Sequence, residues 1–334
     1  MLSKKALLLS RAAGLGGTVI SKFKAFLISL CFISLVACND WVLNNPYPAA
    51  SVDNQAVLYS SFSERPKHLD PAKSYSSNEY VFIGQIYEPP FQYHYLKRPY
   101  ELEPLTAAQM PEVIYLDSAG NVLAKDAPAE KIAYSDYIID IKPGIKYQPH
   151  AALAKDAQGQ YLYHQLTQAQ LSEITLLSDF TQTDTRELIA ADYVHEIKRL
   201  VHPQISSPIG ELMKQYIAGL GDYALAIKDK PRTALKDHAI SGVEVVDKYR
   251  YKIRIKGKYP QFIYWLAMPF FAPMPWEADA FYSQQGLIDK NITLDWQPLG
   301  TGAFMLEENN PNLRMVMLKN SNYHADFTRK RASR

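Results

Sequence analysis

Cysteine is almost absent from this chain. Its 334 residues include two, Cys31 and Cys38. Beyond them nothing can form a disulfide or a thiolate metal site. Long apolar runs are absent too. Ala25 to Val36 is the clearest one, and it is shorter than the roughly 20 residues of a membrane-spanning helix. Neither sign of charge dominates: 36 Lys and Arg face 34 Asp and Glu, for a net +2. No global field therefore selects nucleic acid as a partner. Enzyme signatures are missing as well. There is no Gly-x-Ser-x-Gly elbow and no Walker A loop. His195-Glu196 opens like a zinc-protease helix, but Arg199 stands where a second His would be needed on the same face. His195 therefore reads as a surface or packing residue. Gly300-Thr301-Gly302 lacks the third glycine and the long following helix of a nucleotide loop, and reads as a tight backbone passage. His68 and His94 have no spaced partners. No metal and no cofactor are implied.

What is present is a large apolar fraction, 47%, with 23 Tyr and 21 Pro. That is enough for a sizeable core, and length alone suggests about two domains. Tyr joins an apolar face to a hydroxyl, which suits either a ligand wall or a core cap. Patterning predicts strands at Ala56–Phe62, Gln92–Tyr95, Glu112–Leu116 and Tyr134–Lys142. Asp117-Ser118-Ala119-Gly120-Asn121 and Pro143-Gly144 read as turns. Ser76 and Glu79 form a capping-box pattern that opens a helix to about Ile86, stopped by Pro89-Pro90. From Tyr147 to Thr185 the pattern weakens, and an irregular insertion with short helices is expected. Arg186–Val201 reads as an amphipathic helix, with Ile189, Val194, Ile197 and Val201 near one face and charges opposite. Ile209–Leu220 reads as another helix, capped by Gly221. Hairpins are expected at 243–256, turning at Asp247-Lys248, and at 301–318, with a short helix at Pro260–Leu266. The mixture indicates an α/β or α+β lobe.

The N-terminus has the organisation of a secretory signal. Lys22 and Lys24 precede the apolar run, which ends in Leu35-Val36-Ala37-Cys38. A Cys at this point resembles a bacterial lipobox, which implies cleavage before Cys38 and acylation of its sulfur. An ordinary signal peptide with an incidental Cys38 is the alternative. Residues 1–21 form an extra prefix, read either as functional or as the product of a misplaced start codon. Asn39–Asn54 reads as a flexible tether.

A wider resemblance rests on segments along the body. Glu64-Arg65-Pro66-Lys67-His68-Leu69-Asp70-Pro71 resembles the opening "P-x-x-L-D-P" of the family 5 extracellular solute-binding proteins, the peptide-binding receptors of bacterial ABC importers. Ile86-Tyr87-Glu88-Pro89 resembles their "Y-E-P/G-L" helix end. Tyr137 to Tyr147 resembles "Y-x-F-x-L-R-x-G-V-K-F". Leu188 to Val194 with Lys198-Arg199-Leu200 resembles "L-T-A-x-D-V" and "K-R-L". Pro298 to Phe304 resembles "P-x-G-T-G-P-F", with Ala303 in place of Pro. Lys319 to Tyr323 resembles "R-N-P-N-Y". The family's short "H-D-G" turn after Tyr147 is replaced by a longer stretch.

The resemblance implies a type II periplasmic-binding-protein-like first lobe of α/β class, with an enlarged inserted subdomain and with the second lobe missing. The boundaries it suggests are 1–37 for signal and prefix and 38–54 for lipidated Cys and tether. The first lobe, incomplete, would take 55–90 and 236–328, the inserted subdomain 91–235, and a non-family basic tail 329–334. That ending reads as truncated or out of frame, or else as a tail touching anionic lipid.

The function implied is a lipid-anchored receptor at the periplasmic face of the cell envelope. It would be a monomer, held to the membrane through lipid on Cys38, that delivers peptides, oligopeptides in particular, to ABC importer permease subunits. It would not be an enzyme and would bind no nucleic acid. Such receptors close two lobes on a ligand, so one wall alone is expected to bind peptide poorly or not at all. The resemblance places that wall at Tyr75, Tyr80, Tyr87 and Glu88 and at Thr301 and Gly302. For the tyrosines, core packing is the alternative; for the Thr301-Gly302 turn, a plain strand connection. A stand-alone peptide-sensing or scaffold lipoprotein, and a hydrolase of unseen type, are the competing functions.

Overall fold

Alternation decides the central sheet. In β6 (Arg250–Lys256), Tyr251, Ile253 and Ile255 are buried, while Arg250, Lys252 and Arg254 point the other way. A period of two with one apolar face is a half-buried strand. With β3 (Glu112–Leu116), β4 (Tyr134–Asp140) and β5 (Val243–Asp247) it forms an antiparallel sheet in the order β3-β4-β6-β5. β4 and β6 pair along their full lengths, Tyr134 opposite Lys256 through Asp140 opposite Arg250. The cross-strand pair Asp136–Arg254 is bidentate, at 2.7 and 2.8 Å. The spans 91–235 and 236–328 thus share one sheet.

The computed structural model describes residues 57–310 and 312–325. The expected leader, Cys38, the tether and the basic tail lie outside the described residues. The chain divides into Met1–Ser61 and Phe62–Arg334. In the first unit only 57–61 are described. The strand expected at Ala56–Phe62 does not form over its described part. Phe62 instead packs edge-on against Phe82 at 5.8 Å.

Helix α1 (Ser77–Ile86) begins at the expected capping box and ends before Pro89-Pro90. Two small antiparallel pairs complete the strands: β1 (Phe91–Tyr93) with β2 (Leu102–Pro104), and the hairpin β7 (Phe304–Asn310) with β8 (Arg314–Lys319). The turn after β3 is closed by Asp117, whose Oδ1 accepts from Ala119 and Asn121 N–H. The 147–185 stretch is irregular with short helices, as expected: α2 (Gln168–Glu173) and two 3-10 turns at Ala151–Leu153 and Leu177–Asp179.

Helix α3 (Ala190–Arg199) starts four residues later than periodicity predicts. Residues 186–188 are instead extended: Tyr147 N–H bonds Arg186 O at 3.0 Å, and Leu188 N–H bonds Ile145 O at 2.8 Å. Its charged side is not solvated either, because Asp192, His195, Glu196, Lys198 and Arg199 are all buried. Tyr193 stacks on Tyr251 at 5.2 Å and joins the helix to the sheet. The next expected helix is two, α4 (Gly210–Tyr216) and α5 (Leu220–Ile227). The break is at Gly219, not Gly221. Gly219 has φ +72°, and a Cβ there would lie 2.0 Å from Ser241 Oγ, so only glycine fits. α6 (Phe262–Trp265), α7 (Trp276–Tyr282) and α8 (Gln285–Ile288) follow. Among the described residues no helix is long and apolar enough to cross a membrane.

Candidate functional site

Glu79 organises the start of α1. Its Oε1 accepts the Lys67 and His68 N–H groups, at 3.2 and 2.9 Å. Its Oε2 accepts the Ser74 hydroxyl at 2.9 Å and the Tyr75 and Ser76 N–H groups at 3.2 and 3.3 Å. Burial alone would raise the pKa of this carboxyl. Hydrogen bonds from Ser76, Ser74 and the backbone outweigh burial, and the pKa falls below its usual value. The loop 67–76 is thereby fastened to the helix.

Outside that loop lies an open depression of about 600 Å³. Tyr75 lies on its wall, 70% exposed, with its ring 5.9 Å from that of Phe270. Tyr80 is also exposed, at 58%, and its ring covers Gly84, where a Cβ would meet it at 3.2 Å. These two of the expected wall residues present open aromatic faces.

The other four come together at the far end of α1, and they are buried. Gly302 N–H bonds Ile86 O at 2.8 Å. A Cβ on Gly302 would lie 2.4 Å from Gln85 O, and one on Gly300 2.0 Å from Ile86 O. Both glycines are therefore steric requirements. The Thr301 hydroxyl donates to Glu88 Oε2 at 2.9 Å, and His324 Nε2 lies 3.0 Å from Glu88 Oε1. The Tyr87 hydroxyl accepts from Leu299 N–H at 3.3 Å; burial first, and the charge of Asp70 second, push its pKa well up, so it stays neutral. Gln148 bridges Pro298 O (3.2 Å) and Gly300 N–H (3.3 Å). Asn320 Nδ2 donates to Gly302 O at 2.8 Å, and Asn322 Nδ2 to Tyr147 O at 2.9 Å. Four separate motif segments thus meet at one junction.

A second cluster was not foreseen from the sequence. Arg199, fully buried, grips Asp70 bidentately at 3.1 and 2.7 Å, Glu196 at 2.7 Å and Asp279 at 3.1 Å. His195 Nε2 lies 2.9 Å from Asp279, so His195 is a packing residue inside an ion cluster. Burial raises the Glu196 carboxyl to about 8 despite the Arg199 charge. For Asp279 the Arg199 charge and the His195 contact overcome burial and hold its pKa low. Nearby, Arg186 makes paired contacts with Asp192 (2.8 and 2.7 Å) and Glu277 (2.8 and 2.8 Å). The available signal was co-occurrence: "L-D-P" and "K-R-L" carry the two ends of one buried pair. Among the described residues no group of His, Cys, Asp and Glu is placed to hold a metal ion.

Comparison with known families is decisive for one segment. Residues 168–333 match the model of the bacterial extracellular solute-binding proteins, family 5, middle region. This segment is that of a family 5 solute-binding protein. It contains the motifs at 188–200, 298–304 and 319–323; those at 64–71, 86–89 and 137–147 precede it. No curated protein matches the chain. Solved structures similar to it include an ABC transporter-associated periplasmic binding protein of Helicobacter pylori in complex with a peptide, at 17% identity and TM-score 0.48. An OppA of Listeria monocytogenes bound to peptide (16%, 0.48) and the murein tripeptide binding protein of Escherichia coli (18%, 0.47) are also similar. Each comparison covers 78% of this chain and 38% of the other. The chain therefore spans well under half the length of these solved structures.

Proposed function

We propose that this chain supplies one ligand-facing wall of a lipid-anchored solute-binding receptor that delivers peptides to an ABC importer. The family 5 segment at 168–333 is the observation that carries this reading. On this reading Tyr75 and Tyr80, which precede that segment, offer aromatic faces to the ligand. Tyr87, Glu88, Thr301 and Gly302 hold the wall in shape from behind, because their polar atoms are engaged within the protein. Peptide backbones would be met by hydrogen bonds that do not depend on sequence, which suits broad specificity. The lipid on Cys38 would keep the receptor at the periplasmic face.

One open wall cannot desolvate a ligand fully, and the ordering cost of binding remains. The expected affinity of the full chain for a short peptide is therefore weak, on the order of millimolar. Equilibrium dialysis with a mixed-sequence oligopeptide checks this, and Tyr75→Ala should weaken the binding severalfold without altering the fold. Micromolar or tighter binding would contradict the one-wall reading. Metabolic labelling with a palmitate analogue should mark the chain and fail in Cys38→Ala.

A further inference from the structure

The loop that joins β1 to β2 turns its apolar side chains outward. His94 N–H bonds Glu101 O at 2.8 Å and closes the hairpin over residues 95–100. The loop is fastened from within. His94 Nδ1 accepts the Leu96 and Lys97 N–H groups at 3.2 and 3.3 Å, and Arg98 Nη1 donates to Lys97 O at 2.7 Å and to Tyr95 O at 3.4 Å. The remaining side chains stand in solvent: Tyr95 is 84% exposed, Leu96 76% and Tyr100 65%. Beneath them the rings join into one surface. Tyr93 lies edge-on to Tyr100 at 5.9 Å and stacks on Tyr264 of α6 at 6.3 Å, and both Tyr93 and Tyr264 are exposed. The depression beside α1 is lined by other residues, so the ligand-wall reading leaves this surface unused. Its charges cancel. Lys97 and Arg98 are matched in number by Glu101 and Glu103, and Lys97 pairs with Glu101 at 2.6 Å. What the tip offers is aromatic and aliphatic surface, and exposed apolar surface that is contiguous marks a contact site.

We propose that this tip rests in the interfacial layer of the bilayer that holds the lipid anchor, with Tyr95, Leu96 and Tyr100 among the headgroups. The nearness of a membrane is taken from the lipid-anchor reading; the apolar tip is not. On that reading the 18 residues 39–56 separate the acylated Cys38 from the described body, and a stretch of that length spans at most about 65 Å. The body is thus confined beside a bilayer, where high effective concentration favours a weak second contact. Tyr suits the interfacial layer, because its ring is apolar while its hydroxyl stays wet. A protein partner fits the tip less well: one short loop falls far short of the roughly 20–30 residues a side of a stable protein interface, whereas a bilayer needs no matched surface. Because the charges cancel, the contact requires no anionic lipid.

The test is photolabelling of the full chain on phosphatidylcholine vesicles that contain a phospholipid with a diazirine at the headgroup end of its acyl chain, with the labelled residues mapped by mass spectrometry. Labelling should concentrate on 93–100 and Tyr264 and spare the exposed polar turn 118–121. The double variant Tyr95→Ser, Leu96→Ser should lower tip labelling about tenfold and leave the unfolding midpoint unchanged, because both side chains stand in solvent. Replacing part of the phosphatidylcholine with phosphatidylglycerol should not alter the pattern. Tip labelling that appears only with phosphatidylglycerol, or that salt removes, would show charge-driven adsorption and overturn the proposal. Uniform labelling of the body, or a tip left unlabelled by lipid and crosslinked to a protein in whole membranes, would overturn it too. Metabolic palmitate labelling of the same chain separates the two readings. If the chain is not acylated and the tip is labelled, the tip contact stands and the lipid-anchor reading falls. If the chain is acylated and the tip is unlabelled, the anchor stands and the tip contact falls. If neither is seen, the tip contact falls as well.

Discussion

Arg199 shows how much one side chain can hold. Its guanidinium is fully buried and satisfies Asp70, Glu196 and Asp279 at once, so the segment before α1 is tied to α3 and α7. Removing one partner of a buried charge cluster leaves the others uncompensated. Arg199→Met should destabilise the fold by about 3–5 kcal/mol, read as a shift of the denaturation midpoint in urea. A change below about 1 kcal/mol would mean the cluster behaves as solvated. Glu196 adds a pH dependence. Folded, it keeps its proton up to about 8; its ordinary value is 4.5. Between those values the folded state holds one more proton than the unfolded state, so stability falls as pH rises, by at most about 1.4 kcal/mol per unit. Glu196→Gln cannot lose that proton. Denaturation measured at pH 6 and pH 9 should show a smaller loss in the variant than in the parent; an equal loss would place the titration elsewhere.

At the scale of elements, the contact between α1 and the 298–304 passage is decided by backbone proximity. A methyl at Gly302 would press on Gln85 O at 2.4 Å. Gly302→Ala should therefore cost about 1–3 kcal/mol, measured by thermal or chemical unfolding, whereas Gly221→Ala, inside α5 with no atom near its Cβ position, should be neutral or stabilising. The same contrast shows what the sequence makes legible. Gly300-Thr301-Gly302 reads correctly as a tight passage, because glycine pairs have few other uses. α1 and its capping box, the β5–β6 and β7–β8 hairpins and the irregular 147–185 stretch are also readable, since local patterning specifies them. The start of α3 is not, because Arg186 looks like an ordinary first-turn residue until Asp192 and Glu277 close around it. Nor is the Gly219 break, which depends on Ser241 lying against it. Among the site residues the motifs give two separate places, Tyr75 to Glu88 and Thr301-Gly302; only packing reveals that Tyr87, Glu88, Thr301 and Gly302 are buried together while Tyr75 and Tyr80 are exposed.

At the scale of the molecule, the motif residues divide into two buried staples, the Arg199 cluster and the Gly300–Gly302 junction. Between them they fix both ends of α1, whose outer face carries Tyr80 and whose preceding loop carries Tyr75. On the proposed reading that face meets the ligand and the staples only hold it in place. The most direct measurement is photo-crosslinking of the full chain with a peptide bearing a benzoylphenylalanine, at millimolar concentration, followed by mapping of the labelled residues. Labelling concentrated on residues 73–80 is the expected result; labelling confined to 86–88 and 298–304, or none at saturating peptide, would contradict it.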